Sequence, residues 1–227
     1  LEEIGYRRGF GDLMAEGVRI MAEEIGGGSE RFAIHVKGME FPAYDPRAGF
    51  GTGLTYAVTA RGACHRRAWP PAREVLGNVP PYTIEGKAAM IKEMFDERTL
   101  YHSLLVCDYV GSGLAIPFSE YAEFVAAVTG HTYTDEDLAE LADRVETTTR
   151  LFNVREGLGR EDDSLPPRIL EEPLPDGPAQ GQLFGREGLE TMKDEYYALR
   201  GWDDQGVPLP ETLQRYGIAP GLKEVAS

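Results

Sequence analysis

One segment of this chain carries a complete set of helix signals, and it constrains the fold more than any other stretch. Thr134 is followed by Asp135, Glu136 and Asp137, a pattern typical of a helix N-terminal capping box. Apolar residues then recur at helical spacing, namely Leu138, Leu141, Ala142, Val145 and Phe152. The segment therefore predicts a long helix whose apolar stripe faces a core.

Similar spacing predicts helices along much of the chain. Asp12 is a candidate cap for a helix over 13–25, and Ser119 is one for a helix that Gly130 closes. The other predicted elements are helices over 51–59, 85–100 and 187–199, a strand over 32–37, and loops over 69–81 and 101–113. From residue 157 the pattern loosens into an extended, wrapping segment. The predicted fold class is mainly α and multihelical, with little sheet and a long irregular C-terminal tail.

Composition excludes several classes of function. The net charge of −15 argues against nucleic acid as a partner, because a phosphate backbone needs a basic face. No apolar run approaches the roughly 18 residues of a membrane span. Two cysteines in 227 residues do not make a disulfide scaffold, which favours a reducing, cytoplasmic compartment. A first residue other than Met suggests a processed piece or a fragment of a longer protein.

The polar stretch over 44–65 is the main candidate site. Asp45 and Arg47 either clamp an anionic ligand or make local turn contacts around the proline between them. Glycines at 49, 51 and 53 allow close approach of a ligand or another backbone. His65 is either a general acid or base or a structural histidine, and Cys64 is either a thiolate nucleophile of a hydrolase or a buried thiol.

Other chemistry-bearing residues also have two interpretations. Arg66 and Arg67 either favour an anionic ligand or form a solvated pair. Cys107, in an apolar setting, is either one ligand of a shared iron–sulfur cluster or an inert core thiol. Zinc is not expected, because the sequence contains no Cys-x-x-Cys. Histidines 35 and 131 are predicted to be structural. The acidic pairs at 162–163 and 171–172 are predicted to be solvated loop charge.

Taken together, several ordered segments resemble one family. The C-terminal region of the tungsten-containing aldehyde ferredoxin oxidoreductases is similar to nearly all of this chain. The segments that carry the resemblance include Asp-Pro-Arg at 45–47 and Arg-Gly-Ala-Cys-His at 61–65, followed by 85–87, 103–107, 151–157, 162–166, 172–177 and 196–202. Because many segments occur in the same order, the resemblance is more specific than a single motif.

The resemblance implies a cofactor set and an architecture. Members bind tungsten or molybdenum through two molybdopterin dithiolenes, beside a [4Fe-4S] cluster, and both groups need residues outside this chain. They oxidise aldehydes to carboxylates and pass electrons to ferredoxin. Two largely helical domains follow an N-terminal β-rich domain, which implies that residues 1–43 end the middle domain and 44–227 form the C-terminal one. The chain alone is then expected to be inactive.

The resemblance also implies roles for particular residues. His65 matches the histidine near the metal, and Cys107 matches the fourth cluster ligand, the other three lying upstream. Arg67 matches a basic residue facing pterin phosphate. The further cofactor-binding residues are Asp45, Arg47, His102, Leu105 and Val106. This chain departs from the common Asp-x-x-Gly-Leu-Cys pattern, since His102 and Leu105 stand where Asp and Gly are usual.

Three hypotheses follow for the function. The first is the C-terminal part of a tungsten bis-pterin aldehyde oxidoreductase, whose partners are the N-terminal remainder of the same enzyme and ferredoxin or an electron-transfer subunit. The second is an aromatic acyl-CoA reductase of the same family. The third is a non-catalytic helical module for subunit contact. A homodimer is a further prediction, and neither nucleic acid nor membrane is an expected partner.

Overall fold

A computed structural model describes residues 1–114 and 116–219 of the chain. These residues form twelve α-helices and one two-stranded hairpin, so the prediction of a mainly α, multihelical fold is confirmed. The helices are α1 Glu2–Gly5, α2 Phe10–Met14, α3 Val18–Ile25, α4 Phe50–Val58, α5 Pro71–Glu74, α6 Lys87–Ser103, α7 Asp108–Leu114, α8 Phe118–Thr129, α9 Asp135–Arg155, α10 Pro167–Glu171, α11 Gly185–Arg200 and α12 Pro210–Arg215. Strands β1 His35–Val36 and β2 Met39–Glu40 pair antiparallel, with His35 opposite Glu40.

The body is built around α6, which packs against α4, α9 and α11. Every residue of α4 is buried, as expected of a helix that is apolar on all sides. Leu54 of α4, Ile91 of α6 and Leu189 of α11 are all fully buried in the main hydrophobic cluster. The loop that follows α4 therefore starts from a fixed position, and this loop carries His65.

The glycines of α4 serve packing within this chain. A Cβ on Gly53 would lie 2.6 Å from Cζ of Phe184, so a larger residue would displace that ring. The backbone N–H of Gly51 donates to Oε1 of Glu74 at 2.8 Å. That buried carboxylate also accepts from Nζ of Lys87 at 2.5 Å. At 51 and 53, the close approach predicted from the sequence is to side chains of the same chain.

In α9 the predicted capping box is confirmed, but the predicted apolar stripe is partly wrong. Thr134 and Asp137 form the complete capping box. Leu138 and Ala142 are buried, but Val145 and Phe152 are 37% and 50% exposed, so the prediction was wrong for those two. The buried face instead continues over three polar residues, namely Thr147, Arg150 and Asn153. Nε of Arg150 donates to the carbonyl of Gly206, and the side-chain amide of Asn153 donates to the carbonyl of Ala60.

Several predicted boundaries were also wrong. The helix predicted over 13–25 is two helices, broken at Gly17, whose φ of +85° disfavours other residues. Asp12 lies inside α2 and pairs with Arg7 at 2.8 Å. Pro117 holds the cap position of α8, so Ser119 is not the cap.

The remaining differences concern short elements. The predicted strand is confined to β1 after a 3₁₀ turn at Ser29–Phe32. The loops predicted over 69–81 and 101–113 contain α5 and α7, and α10 and α12 lie in the tail. The division of the chain at residues 43 and 44 stays a prediction. No helix in the described parts of the chain is long and apolar enough to cross a membrane.

Asp163 is a buried ionic centre, so the expectation that it is solvated loop charge was wrong. Its carboxylate accepts from Nζ of Lys37 at 2.7 Å and from the hydroxyl of Tyr197 at 2.5 Å. Nη1 of Arg150 lies 2.8 Å from the same carboxylate. Two cations explain the burial, since a buried carboxylate needs charged and hydrogen-bonded partners.

Candidate functional site

His65 lies in the loop that leaves α4, at a cavity on the surface of the helical body. The ring of Tyr44 is 5.6 Å from the imidazole, measured between centroids. The cavity has a volume of about 460 Å³, within the range of small-molecule sites. Its lining residues come from the segment before α4, from this loop, from α5 and α6 and from the start of α7: Tyr44, His65, Arg66, Trp69, Ala72, Arg73, Met94, Glu97, Arg98 and Tyr109.

Three side-chain contacts join the His65 loop to the segment that carries Cys107. Nη2 of Arg66 donates to the carboxylate of Asp108, the residue after Cys107. Nη1 of Arg67 lies 3.1 Å from Nδ1 of His102. Arg66 also stacks over the ring of Tyr109, with 4.1 Å from its guanidinium carbon to the ring centroid. The fold therefore brings together two regions that lie some forty residues apart in the sequence.

Arg98, in α6, supports the junction between the His65 loop and the Cys107 segment. Its Nη1 donates to the backbone carbonyl of Asp108 at 2.8 Å and lies 3.5 Å from the carboxylate Oδ2. Asp108 thus interacts with two guanidinium groups, one from the His65 loop and one from the central helix. These contacts fix the position of the residue next to Cys107.

A tight turn presents Cys107 at the surface. Leu105 has a φ of +58°, and the N–H of Val106 donates to the carbonyl of Tyr101 at 2.9 Å. The N–H of Leu105 also donates to the carbonyl of His102, so α6 ends in a Schellman motif. Cys107 follows directly and is exposed, so the alternative of an inert core thiol was wrong.

Cys64 differs from Cys107 in its exposure. Its side chain is buried. The sulfur accepts from Nη2 of Arg61 at 3.0 Å and from the backbone N–H of Arg66 at 3.4 Å. These contacts favour the buried structural thiol over the nucleophile of a hydrolase.

Burial and neighbouring cations favour the neutral form of both histidines of the site. Burial lowers the pKa of His65, and the nearby cations Arg66 and Arg61 lower it further. Burial and Arg67 likewise lower the pKa of His102. Neutral imidazoles can accept protons near neutral pH, which is the property that a general base needs.

Asp45 and Arg47 form a local pair. Arg47 donates from its backbone N–H and Nε to Oδ1 of Asp45, at 2.9 and 3.0 Å, and from Nη2 to Oδ2 at 2.7 Å. Nη1 donates to the carbonyl of Glu172 at 2.9 Å. Burial raises the pKa of Asp45, but hydrogen bonds from Arg47 outweigh this and the net pKa is lowered. The geometry therefore matches the turn-contact alternative, and the cofactor-binding role of the pair stays a prediction.

Sequence patterns do not single out three residues that complete the site. Trp69 and Arg98 line the cavity, and Asp108 links its two halves. For Asp108, the sequence offered one indication of a role in the site, namely its position beside Cys107. Arg98 had none, because α6 carries charged residues on several faces and only the tertiary fold shows which of them are buried.

The donor set of the site bears on the metal and the cluster that the resemblance implies. Within residues 1–114 and 116–219, no three His, Cys, Asp or Glu side chains cluster as a metal site. The exposed thiol of Cys107 can serve as one corner of a cluster whose other ligands come from elsewhere. The site thus fits the role of one wall of a larger cofactor site.

Comparisons with known proteins agree with this interpretation. The family model described as "Aldehyde ferredoxin oxidoreductase, domains 2 & 3" matches residues 1–218. The tungsten-containing aldehyde ferredoxin oxidoreductase of Pyrococcus furiosus is 37% identical, over 96% of this chain and 36% of that protein. The enzyme of the same name from Thermococcus kodakarensis is 35% identical, over 98% of this chain and 36% of that protein. The chain therefore spans about a third of the length of these relatives.

One further relative and one solved structure also match this chain. An aliphatic sulfonate oxidoreductase, WOR-like subunit, of Pyrococcus furiosus is 30% identical over 99% of this chain and 35% of that protein. A solved structure, the active site complex BamBC of benzoyl coenzyme A reductase with 1,5-dienoyl-CoA, matches with a TM-score of 0.72. That match covers 96% of this chain and 38% of that chain at 22% identity, so it supports the fold alone. With a family match over 218 of its 227 residues, this chain belongs to the aldehyde ferredoxin oxidoreductase family, in the part formed by domains 2 and 3.

Proposed function

We propose that this chain is the C-terminal part of a tungsten or molybdenum bis-pterin iron–sulfur oxidoreductase that oxidises aldehydes to carboxylates, with ferredoxin as electron acceptor. One observation carries the proposal. In a chain of this family, the contacts Arg66–Asp108 and Arg67–His102 join the His65 loop to the Cys107 turn. A proton-handling residue and a candidate cluster ligand thus belong to one junction.

Four residues of the junction would face the cofactors. Cys107 would ligate the [4Fe-4S] cluster, and Arg67 would face pterin phosphate, with the other cluster ligands supplied from outside this chain. Leu105 keeps the left-handed backbone that a glycine adopts readily, and its side chain is 93% exposed. The replacement of the usual Gly therefore leaves the turn intact. His102 accepts from Arg67 through Nδ1 when neutral, and its Nε2–H would then offer a donor to a pterin.

When bound, the metal–pterin centre supplies the two-electron acceptor, and the cluster conducts those electrons onward. In the overall reaction an aldehyde and water give a carboxylate, two electrons and three protons. His65 is the group of this chain that would take up a proton at the substrate. Its lowered pKa supports this role in one respect, because it favours the unprotonated imidazole, the form that can accept a proton. The cavity beside it is large enough for a small organic substrate.

Substitution of His65→Ala in the full-length, metal-loaded enzyme tests the proposal. We expect aldehyde turnover to fall by about 10²–10⁴-fold, the usual contribution of a general acid or base. Tungsten and iron contents, measured by elemental analysis, should stay at the wild-type level. His131→Ala is the matched control, because that residue is exposed and lies outside the junction.

Three outcomes would overturn the proposal. The first is full aldehyde turnover by the His65→Ala enzyme. The second is wild-type enzyme that carries its metal and cluster yet oxidises no aldehyde. The third is turnover of an aromatic acyl-CoA thioester in place of aldehydes, which would move the chain to the reductase branch.

A further inference from the structure

The cavity beside His65 combines aromatic rings with charged groups. Three of its lining residues are aromatic, namely Tyr44, Trp69 and Tyr109, and Met94 adds a thioether. Its volume of about 460 Å³ lies in the lower part of the range for small-molecule sites, which suits a single substituted aromatic ring. Aromatic side chains can pack against such a ring in offset or edge-to-face contact. The charged groups then decide which substituent the ring can carry.

The cations that line the cavity already have acidic partners. Arg66 and Arg98 both interact with the carboxylate of Asp108. Nη2 of Arg73 donates to Oε1 of Glu93 at 2.8 Å. Each of these guanidinium groups is thus paired within the chain, and the pairs give the cavity little attraction for an anionic substituent.

Glu97 is the carboxylate that lines the cavity, and one of its oxygens is available to a ligand. Oε1 accepts a hydrogen bond from the hydroxyl of Tyr101. Oε2 accepts none from any residue that the structure describes, and it is not sealed from solvent. The hydrogen bond to Glu93 raises the pKa of Arg73, and the nearby charge of Glu97 adds to this effect, so the carboxylate lies close to a second lining residue.

The chemistry of the available oxygen favours a neutral hydrogen-bond donor. A carboxylate oxygen can only accept, and hydrogen bonds to an ionised acceptor are about twice as strong as neutral ones. Because Tyr101 holds the other oxygen, the acceptor is oriented before a ligand arrives. A cationic substituent would meet the three guanidinium groups of the same cavity, whereas a hydroxyl group avoids their repulsion.

We propose that this cavity binds an aromatic aldehyde that also carries a hydroxyl group, and that Glu97 selects this substrate. The ring lies among Tyr44, Trp69 and Tyr109. The hydroxyl donates to Oε2 of Glu97, and the formyl group faces His65. This inference rests on the proposed function and adds the substrate class and the residue that determines it.

Glu97→Gln in the full-length, metal-loaded enzyme is the test. The amide oxygen can still accept from Tyr101, while an uncharged NH₂ group replaces the available oxygen. Two substrates of nearly equal size are compared, 4-(hydroxymethyl)benzaldehyde and 4-ethylbenzaldehyde, together with their 3-substituted isomers. In the wild type we expect kcat/KM for at least one hydroxymethyl compound to exceed that of its ethyl counterpart about tenfold, as one charge-assisted hydrogen bond provides. Glu97→Gln should lower that ratio about tenfold and change kcat/KM for the ethyl compound by less than about threefold.

Glu123→Gln is the matched control. Glu123 is an exposed carboxylate of α8 and does not line the cavity. The substrate ratio of this variant should equal that of the wild type. A fall in the ratio here would mean that loss of any carboxylate from this acidic chain alters substrate choice, and it would overturn the assignment to Glu97.

The remaining outcomes separate this inference from the proposed function. A wild type that prefers neither hydroxymethyl compound, or an equal loss on both members of a pair in Glu97→Gln, overturns the inference while aldehyde oxidation stands. Loss of tungsten from Glu97→Gln assigns the carboxylate to the cofactor and also overturns it. If no aldehyde is oxidised, calorimetric titration with the corresponding hydroxymethyl- and ethylbenzoates still decides the binding claim. A wild-type preference for the hydroxymethyl compound that falls about tenfold in Glu97→Gln supports the claim, and equal or absent binding contradicts it.

Discussion

At the scale of single residues, Arg66 performs two tasks at once. Its guanidinium binds Asp108 and stacks on Tyr109, which fixes the loop against the Cys107 segment. Its positive charge also helps to lower the pKa of His65, after the larger effect of burial. The position of the histidine and its proton affinity therefore depend on the same neighbour.

Arg66→Gln tests this link through the pH dependence of activity. Loss of the cation should raise the pKa of His65 towards its ordinary value, and release of Asp108 from Arg66 acts in the same direction. In the proposed role of His65 as the unprotonated base, a higher pKa should move the acidic limb of the kcat/KM profile to higher pH. The profile is measured in the full-length enzyme at low ionic strength, from about pH 5 to 8.

Arg215→Gln serves as the control for this profile, because Arg215 is exposed and pairs with Glu140 far along the chain from the junction. Its acidic limb should coincide with that of the wild type. An acidic limb that stays in place or moves to lower pH in Arg66→Gln would contradict the assigned electrostatic role.

At the scale of elements, the end of α6 decides how Cys107 is presented. The Schellman turn needs a left-handed residue at position 105, and a leucine occupies it with φ of +58° and an almost fully exposed side chain. A non-glycine residue in this conformation costs about 1–2 kcal/mol. The turn thus persists against its own local preference, because the helix and the Arg66–Asp108 contact on either side hold it.

Leu105→Gly should therefore stabilise the protein. Relief of the left-handed strain exceeds the extra flexibility that glycine gives the unfolded chain, which is worth about 0.5–1 kcal/mol. We expect the melting temperature to rise by about 1–3 °C. Leu76→Gly is the control, since Leu76 is also an exposed leucine but is not in the left-handed region, and its melting temperature should fall. A fall in both variants would refute the strain at position 105.

Some of these elements could be predicted from the sequence, and others could not. Helices α9 and α11 could be predicted because each carries its own periodic signal, as Leu138 and Ala142 do in α9. The break at Gly17 could not, since the flanking segments share one periodic pattern. His65 and Cys107 were found through ordered resemblance, and their proximity depends on tertiary contacts that sequence spacing does not encode.

At the scale of the whole molecule, Asp163 connects parts of the chain that are distant in sequence. Lys37 follows β1, Arg150 lies in α9 and Tyr197 lies in α11, and all three meet its carboxylate. Nζ of Lys37 also donates to the carbonyls of Ala57 and Thr59 at 2.6 and 3.1 Å. The same network thus ties down the end of α4, from which the His65 loop departs.

Asp163→Asn should therefore destabilise the whole fold. Loss of one partner from a buried ionic cluster costs about 3–5 kcal/mol, because the cations left behind have no counter-charge. A fall in melting temperature of about 10 °C is expected. Asp162→Asn is the control, since the partly exposed Asp162 caps the N–H of Gly159, which an amide oxygen can also do, and its charge affects the pKa of Lys37 much less than that of Asp163 does. Tyr197→Phe removes one hydrogen bond to Asp163 and should lower the melting temperature by less. This second variant keeps the prediction testable if Asp163→Asn does not fold.

The pH dependence of that loss distinguishes charge from packing. Burial already lowers the pKa of Lys37, and Asp163 is the main group that raises it, so the pKa of Lys37 should fall further in Asp163→Asn. The unfolded chain keeps the ordinary value, so folding of the variant must release a proton below that pH. Its stability deficit should therefore shrink as pH rises from about 7 to 9, while Arg150 stays charged throughout. Melting curves of the variant and the wild type across this range measure the difference in stability. A difference that does not change with pH would assign the loss of stability to packing around Asp163 instead of to the unpaired charge of Lys37.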